Sequence, residues 1–398
     1  MVLSYTKLIR FDLLRDVESR LKAQGDFNAF LEFLKICQEI DKVDYFIKEM
    51  PSFPRSTKNI IRSELVSAIG STLAIEGISL REDEIKEVLR ESGLKGDIQR
   101  KEQEVLNSRN VYEYIKREVD NCKGDFVYTI EHICTIHKYF TENVEYIGNY
   151  PGKFRNIGAT FGDPRKPSLC GSYNDIYKAV KFFTEWLNNK EGGPWSSNLF
   201  AKALMAHYYL TEIHPFGDGN GRVARAVEAM VLYVNKMDNY CFWSLANFWS
   251  ANRNEYISHL SNVRKTCDPC DFIAWGTRGY LQEVKRIKTL VLKKVKRLMF
   301  RDYINWLAAT NKDRPVKERF SKRIISVLML LTYFDKISLD KFRSKHGYKI
   351  LYSNLSQPTS NRDIAKMKSH KLICITTLNG KDFIELNYQI FNDLEYEV

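Results

Sequence analysis

Between two helical runs the chain reads His214-Pro215-Phe216-Gly217-Asp218-Gly219-Asn220-Gly221-Arg222-Val223-Ala224-Arg225. Three glycines alternating with Asp and Asn cannot hold a regular helix, but they let backbone N–H groups turn inward where the next helix begins. Such a concave set of N–H groups binds anions. Arg222 and Arg225 add two permanent charges with the planar geometry that suits phosphate oxygens. The segment therefore predicts a phosphate site between two helices.

Three further side chains of this segment indicate what the phosphate site does. Asp218 is a natural ligand for Mg²⁺, which prefers one or two carboxylates together with the oxygens of a nucleotide. His214 is expected to titrate near neutrality, the right range for a base that removes a proton from a hydroxyl group. Phe216 is predicted to anchor the loop in the core. A base, a metal carboxylate, an anion site and two arginines are the parts needed for nucleotidyl or phosphoryl transfer.

The same segment resembles the signature of the Fic family, HxFx(D/E)GNGRxxR, at every defined position. The resemblance covers roughly residues 60–285 and implies an all-α core that transfers AMP from ATP to Ser, Thr or Tyr hydroxyls of target proteins. It makes His214 the catalytic base and Asp218 the Mg²⁺ ligand. The residues that it implies for binding ATP are Gly217, Gly219, Asn220, Gly221, Arg222, Arg225 and Tyr256.

Two other segments are similar to parts of this family. Gly152–Gly162 is short, bounded by turns and not helical in period, so we predict a small β-hairpin or extended flap there. It resembles the family's flap, which captures the target chain as an added strand. The docking residues that this implies are Gly152, Lys153, Phe154, Arg155 and Ile157.

Arg253-Asn254-Glu255-Tyr256 is similar to the family's RxxY segment, whose Tyr lies near the nucleoside. Ile257 and Arg264 depart from the residues common in relatives. His207, seven residues before His214, is predicted to be a core histidine rather than a second base.

Thr72-Leu73-Ala74-Ile75-Glu76-Gly77 resembles the family's inhibitory motif, (S/T)xxxE(G/N). The resemblance implies that Glu76 forms a salt bridge with Arg225, competes with the γ-phosphate of ATP and keeps activity low, with Thr72 as the second inhibitory residue. Two alternatives stay open. Glu76 ends its amphipathic helix as a solvated charge, or it orients water to remove AMP from a modified protein.

Charge is concentrated in the last third of the chain. Residues 285–398 hold 24 Lys and Arg against 11 Asp and Glu, whereas residues 1–284 hold 37 against 38. Three short helices, Ile324–Phe334, Ser338–Lys345 and Thr359–His370, precede strands on both sides of an Asn379-Gly380 turn, which predicts a winged helix-turn-helix. DNA is one candidate partner of this basic domain, and a protein is the other, since winged helices also serve as protein-interaction domains. The predicted recognition helix offers Ser360, Asn361, Arg362, Lys366 and Lys368.

The predicted fold is mainly α, with four parts along the chain. They are an N-terminal helical region over 1–106 with the inhibitory helix at about 56–77, a Fic-type core with its β-hairpin flap over 107–284, a basic linker helix over 285–310, and a winged-helix domain over 311–398. The alternative to a transferase is a DNA-binding regulator whose core senses nucleotide.

No stretch reaches the roughly 18 apolar residues of a membrane span, and residues 1–20 lack the apolar region needed for export, so we expect a cytoplasmic protein that does not bind membranes. Its 8 cysteines suit reduced thiols. Cys267 and Cys270 alone do not favour zinc, which requires four ligands. The target protein stays open, the chain itself included, and so does a homodimer.

Overall fold

The computed structural model describes residues 11–14, 28–50, 54–91, 99–145, 150–156, 160–161, 163–167, 170–189, 198–237 and 245–391. The chain divides into two compact units, Met1–Lys288 and Thr289–Val398. As predicted, it is mainly α, with two small antiparallel sheets. No described helix is both long and apolar enough to cross a membrane.

The first unit is built from helices joined by short connections. In chain order they are α1 (Asn28–Glu49), α2 (Pro54–Ile75), α3 (Glu82–Glu91), α4 (Arg100–Asn121), α5 (Ile130–Thr141), α6 (Tyr173–Asn188), α7 (Leu199–Ile213), α8 (Asn220–Val234), α9 (Leu245–Ala251), α10 (Arg253–Thr266) and the start of α11 (Cys270–Ala309).

Helices α7 and α8 form the centre of this unit. Almost every side chain of both helices is buried, because their sequences are apolar all round rather than on one stripe. They pack against each other, and α4 and α5 pack against α8. The glycine-rich loop of residues 214–219 joins the two central helices. Both ends of the loop are therefore fixed by helices that are packed in the core of the unit.

Helix α2 belongs to this same unit and packs against α9. Its apolar positions Ile69 and Leu73 are fully buried, while Ser67 and Ser71 both donate to the Asn247 side-chain oxygen. The predicted inhibitory helix is therefore present, two residues earlier at both ends than expected. It begins at Pro54, as the fixed φ of proline favours at a first helical position.

The predicted linker helix belongs to a longer helix. The sequence predicted a core ending at 284 and a separate linker helix over 285–310, but α11 runs without a break for 40 residues from Cys270. No proline interrupts α11, and Gly276 and Gly279 lie inside it without ending it, so nothing stops the helix near 284.

The small hairpin lies later than the sequence predicted. Strands β1 (Thr160–Phe161) and β2 (Asp163–Pro167) pair antiparallel, whereas Lys153, Phe154 and Arg155 are in no strand. Ile157 lies outside the described residues. The pattern could locate an irregular, turn-bounded segment but not its strand register.

The second unit contains the end of α11, then α12 (Lys322–Leu331), β3 (Lys336–Ser338), α13 (Leu339–Arg343), α14 (His346–Tyr352), α15 (Gln357–Ser369), β4 (Ile373–Leu378) and β5 (Lys381–Leu386). The sheet order is β3-β5-β4. The sequence missed α14 and extended the first of these helices to Phe334. Asn379 and Gly380 both have positive φ, as a two-residue hairpin turn requires. A single apolar cluster, which includes Phe300, Val327 and Ile384, fills this unit.

Candidate functional site

The glycine-rich loop is bounded by two residues in the left-handed region. His214 ends α7 with φ 50°, and Gly219 precedes α8 with φ 76°. A glycine at this position has no side chain that could accept from the first N–H groups of α8. These N–H groups therefore keep the direction that suits an anion at a helix N-terminus. Gly217 is exposed in the loop between them.

Asn220 closes this loop instead of pointing to a ligand. Its side-chain oxygen accepts from the Phe216 N–H at 2.9 Å, and its amide nitrogen donates to the Phe216 carbonyl at 2.9 Å. Both polar atoms of the amide are thus used within the loop. The sequence predicts that Asn220 binds phosphate, and its observed contacts fix the conformation of the loop. Phe216 is fully buried, as predicted.

His137, which the sequence analysis did not identify, ties the loop to the turn at Gly152. Its ring stacks on Phe216 with centroids 3.7 Å apart. The Gly152 N–H donates to Nδ1 at 3.0 Å, so the other nitrogen carries the proton and Nε2–H donates to the Asp218 carbonyl at 3.1 Å. One neutral imidazole therefore fixes the positions of two backbone segments.

Phe154 and Arg155, predicted as target-docking residues, have side chains that face the protein interior. Phe154 packs against Phe216, and the Arg155 guanidinium is buried. Arg155 Nε donates to the His214 carbonyl at 2.7 Å, and its backbone N–H donates to the Pro215 carbonyl at 3.0 Å. Lys153 is exposed, and Gly152 has φ 75° in a turn. Arg155 thus ties this segment to the start of the glycine-rich loop.

His214 is mostly enclosed at the end of α7. Burial lowers its pKa from the usual 6.5 to about 4, the Thr211 carbonyl opposes that change, and the nearby Arg155 charge adds to it. The sequence-based expectation of a pKa near neutrality is therefore wrong, because the sequence does not show burial. Nδ1 lies 3.4 Å from the Thr211 carbonyl, an acceptor, so Nδ1 carries the proton and Nε2 keeps its lone pair.

Arg222 links Asp218 to the helix bundle. Its guanidinium is buried and donates to Glu104 at 3.0 Å and to Asp218 at 2.9 Å. The sequence assigned Arg222 to phosphate binding, but its observed contacts orient the Asp218 carboxylate. Glu104 is almost fully buried on α4 and was not predicted, because no local motif marks it.

The Asp218 carboxylate fits a magnesium ion. Its side chain is 42% exposed although one oxygen is held by Arg222, so carboxylate surface remains accessible beside the loop. No cluster of three or more His, Cys, Asp or Glu side chains occurs among the described residues. One carboxylate together with phosphate oxygens is the ligand set that Mg²⁺ commonly uses in nucleotide sites.

The buried Glu104–Arg222 pair leads to a stability prediction. Glu104→Ala leaves the guanidinium inside the bundle with its main counter-charge removed, which costs about 3–5 kcal/mol of unfolding free energy. Glu113→Ala on the same helix is the matched control, since Glu113 is 63% exposed and is expected to change the free energy by less than about 0.5 kcal/mol. Urea unfolding followed by far-UV circular dichroism measures both. Equal midpoints for the two variants would show that the pair is not important for stability.

Arg225 is held by Thr72 and Tyr256. Its Nε donates to the Thr72 hydroxyl at 3.0 Å, and its Nη2 donates to the Thr72 carbonyl at 3.2 Å. It also interacts with the Tyr256 hydroxyl. These contacts fix the guanidinium beside the first turn of α8 independently of its third neighbour, Glu76.

Behind Arg225 lies a buried polar chain. The Tyr256 hydroxyl is 2.7 Å from His207 Nε2, and His207 Nδ1 is 2.5 Å from Glu228. His207 is fully buried, which confirms the prediction of a core histidine. Burial raises the pKa of Tyr256 to about 12, so its hydroxyl keeps its proton and can take part in this series of hydrogen bonds. Tyr256, expected near the nucleoside, is 4% exposed and positions Arg225.

Glu76 lies beside the first turn of α8, where the sequence predicts the phosphate site. Its Oε1 accepts from Arg225 Nη2 at 2.6 Å, and a Cβ added to Gly221 would lie 2.6 Å from the same oxygen. The carboxylate thus lies against the first turn of α8, where only a glycine leaves room for it. Burial alone would raise the pKa of Glu76, but the charge and hydrogen bond of Arg225 lower it overall, so the carboxylate is ionised at neutral pH.

The structure therefore brings together most of the residues that the sequence singled out. His214, Asp218, Gly221, Arg225 and Glu76 lie around the loop and the start of α8. Tyr256 and Asn220 are near it but have their polar groups engaged internally. Short-range sequence patterns could not reveal His137 and Glu104, which reach the loop from α5 and α4.

A search of family models matches residues 127–232 to the Fic/DOC family. Among curated proteins, the chain is 34% identical over 122 residues to Protein adenylyltransferase Fic of Aedes aegypti, covering 31% of this chain and 22% of that protein. It is 25% identical over 177 residues to Protein adenylyltransferase fic-1 of Caenorhabditis elegans, covering 44% and 33%. The chain thus spans less than half of the length of these relatives.

Solved structures show the same fold. A Fic family protein from Desulfovibrio desulfuricans G20 aligns with a TM-score of 0.53 at 17% identity, covering 89% of this chain and 95% of that one. Residues 134–508 of C. elegans Fic-1 align with a TM-score of 0.53 at 19% identity, covering 68% of this chain and 74% of that one.

Proposed function

Since the chain carries a Fic domain, we propose that it is a protein adenylyltransferase, which moves AMP from ATP to a Ser, Thr or Tyr hydroxyl of a target protein. One observation carries the proposal: a neutral histidine, an accessible carboxylate and a fixed arginine surround the N-terminus of α8. The named adenylyltransferases that the chain resembles support the same reaction.

The proposed mechanism uses positioning and charge more than covalent chemistry. Nε2 of His214 accepts the proton of the target hydroxyl as its oxygen attacks the α-phosphorus of ATP. The bond between the α-phosphorus and the bridging oxygen breaks, and pyrophosphate leaves. Arg225 and the N–H groups of α8 bind phosphate oxygens. Asp218 would hold Mg²⁺, which neutralises phosphate charge when bound.

Within this proposal Glu76 is an inhibitor built into the chain. Its carboxylate occupies the side of Arg225 that would otherwise bind a terminal phosphate, and it places a negative charge on the first turn of α8. A nucleotide can bind productively only when Glu76 moves. Because Thr72 and Tyr256 hold Arg225 separately, the phosphate site stays formed when Glu76 is displaced. None of the contacts of the described residues identifies the signal that moves Glu76.

The reaction class is tested by the position of the label in ATP. A heat-inactivated protein extract, whose own kinases add no label, is incubated with the Glu76→Gly form, Mg²⁺ and ATP labelled at either the α- or the γ-phosphorus. Adenylyl transfer labels proteins only from the α-position, since the γ-phosphorus leaves with pyrophosphate. Label from the γ-position would instead indicate phosphoryl transfer and would exclude the proposal.

The pKa of His214 predicts an unusual pH profile. Because the free protein keeps this imidazole neutral down to about pH 4, kcat/KM should not fall between pH 8 and pH 5.5. The negative triphosphate favours the protonated ring, so the acid limb of kcat should lie at a higher pH than that of kcat/KM. Initial rates of the Glu76→Gly form measure both. A kcat/KM that halves near pH 6.5 would contradict the burial of His214.

A further inference from the structure

The second unit contains an open groove that the proposed reaction does not use. We call it the basic groove, and it is lined by Arg297, Lys336, Lys341, Lys345 and Lys381 together with aromatic side chains. Its volume is about 550 Å³, on the scale of ligand sites, but it is a trough rather than an enclosed cavity. All of its lining residues lie between 297 and 383, within the second unit.

The alternation of side chains along two strands makes this groove positive. Ile337 of β3 and Ile384 of β5 face the core and are buried. Their neighbours Lys336 and Lys381 are exposed on the opposite face, as the period of a strand requires. Lys341 and Lys345, four residues apart at and just beyond the end of α13, add two more exposed ammonium groups to the same groove.

Few carboxylates compensate these charges. Asp335 is the one acidic side chain among the described residues that line the groove, and Lys293 and Arg297 already form ion pairs with it. The Lys336 ammonium lies 4.0 Å from the Glu385 carboxylate, whereas no described carboxylate forms an ion pair with Lys341, Lys345 or Lys381. Residues 289–398 as a whole hold 21 Lys and Arg against 11 Asp and Glu, a net charge of +10. The groove therefore suits a polyanion.

The aromatic rings of the groove indicate which polyanion fits. The Lys345 ammonium lies over the Phe334 ring, 5.6 Å from its centroid, and the Lys336 ammonium lies 5.8 Å from that of Phe383. Lysines thus cover the Phe334 and Phe383 rings, on which unpaired bases of a single strand would otherwise stack. The third ring of the groove, Tyr333, is exposed, and the Arg301 guanidinium lies 5.9 Å from its centroid. A duplex keeps its bases inside and presents phosphates, which the ammonium groups can reach without exposing the rings.

The predicted recognition helix is poorly suited to reading bases. In α15, Ser360 is buried against the Tyr348 hydroxyl, and Asn361 accepts from Arg343. Lys366 donates to two backbone carbonyls. The sequence predicted five side chains of this helix as DNA contacts. Of these, the side chains of Arg362 and Lys368 are exposed and form no described hydrogen bond with the rest of the unit.

We propose that the basic groove binds the phosphate backbone of duplex DNA without regard to base sequence. Lys336, Lys341, Lys345 and Lys381 make the contacts. This binding does not depend on the proposed adenylyl transfer, since none of its residues belongs to the Fic domain.

Fluorescence anisotropy of the full chain with a short labelled duplex of mixed sequence tests the proposal. The groove variant is Lys341→Gln, Lys345→Gln and Lys381→Gln together. The matched control removes three exposed lysines elsewhere in the unit, Lys296→Gln, Lys317→Gln and Lys322→Gln, with the same change in net charge. Both sets are solvent-exposed, and circular dichroism checks that both variants are folded.

We expect the groove variant to lose at least about tenfold in affinity, and the slope of log Kobs against log[salt] to become less steep by about 2.7. The control should lose much less, and a duplex of unrelated sequence should bind equally well. Equal losses in both variants, or loss only in Arg362→Gln with Lys368→Gln, would overturn the proposal. So would tighter binding of single strands, or competition by polyglutamate as effective as that by DNA, which would indicate an acidic protein partner.

Discussion

Replacing Glu76 by glycine is expected to raise the rate of AMP transfer by about 10- to 100-fold, because a charged hydrogen bond worth about 1.5–3 kcal/mol is removed from the phosphate site. The Glu76 carboxylate lies 2.6 Å from Arg225 and touches the first turn of α8. The arginine stays in place without it, since Thr72 and Tyr256 hold it separately. Initial rates with α-labelled ATP measure the change.

Two glutamine variants control for side-chain loss. Glu76→Gln keeps the volume and removes the charge, so it should activate, though less than glycine does. Glu87→Gln changes an exposed glutamate of the neighbouring helix α3 and should leave the rate unaltered. If the native and Glu76→Gly forms label proteins at the same rate, Glu76 is merely the solvated end of its helix.

Replacing His214 by alanine in the Glu76→Gly form should lower kcat by about 10²- to 10⁴-fold, the usual contribution of a general base. The affinity for ATP should change little, because His214 ends α7 and the phosphates bind at the start of α8. Rate measurements give kcat, and calorimetric titration with ATP gives the affinity. His346→Ala, an exposed histidine of the second unit, is the control and should leave both values unchanged.

The opposite pattern would exclude His214 as the base. A variant that loses ATP binding while each bound nucleotide still reacts at the original rate would place His214 among the binding residues. In that case the low pKa of His214 would reflect burial alone.

The sequence located the site because its parts lie close together along the chain. Residues 214–225 form one loop and the start of one helix, so their chemistry can be inferred without knowledge of the tertiary structure. Glu76 was also singled out as a candidate partner of Arg225, because its motif lies on a helix with a recognisable apolar face. The mainly α fold followed from the helical period of the apolar residues.

The sequence could not reveal how polar groups are shared inside the bundle. The side chains of Asn220, Arg222 and Tyr256 all looked available to a nucleotide, but Asn220 is hydrogen-bonded to the Phe216 backbone within the loop. Arg222 and Tyr256 are engaged by residues distant in the sequence, Glu104 and His207. Burial, which sets the pKa of His214, likewise depends on packing over the whole unit. Arg155 shows the same limit, since it follows the flap turn but faces the loop.

The start of α11 was missed for a different reason. Composition changes near residue 285, where cations begin to accumulate, and a separate helix was expected to begin there. A change in surface charge does not begin or end a helix, however, because backbone hydrogen bonds continue where no proline or cap intervenes.

Intact-mass spectrometry of the chain after incubation with ATP and Mg²⁺ tests the central claim most directly. The claim is that His214 drives adenylyl transfer at a site that Glu76 blocks. We predict that the Glu76→Gly form gains the mass of one or more AMP groups, the native form gains far less, and the form that also carries His214→Ala gains none. A gain of phosphoryl groups, or a gain of AMP that persists without His214, would contradict the account.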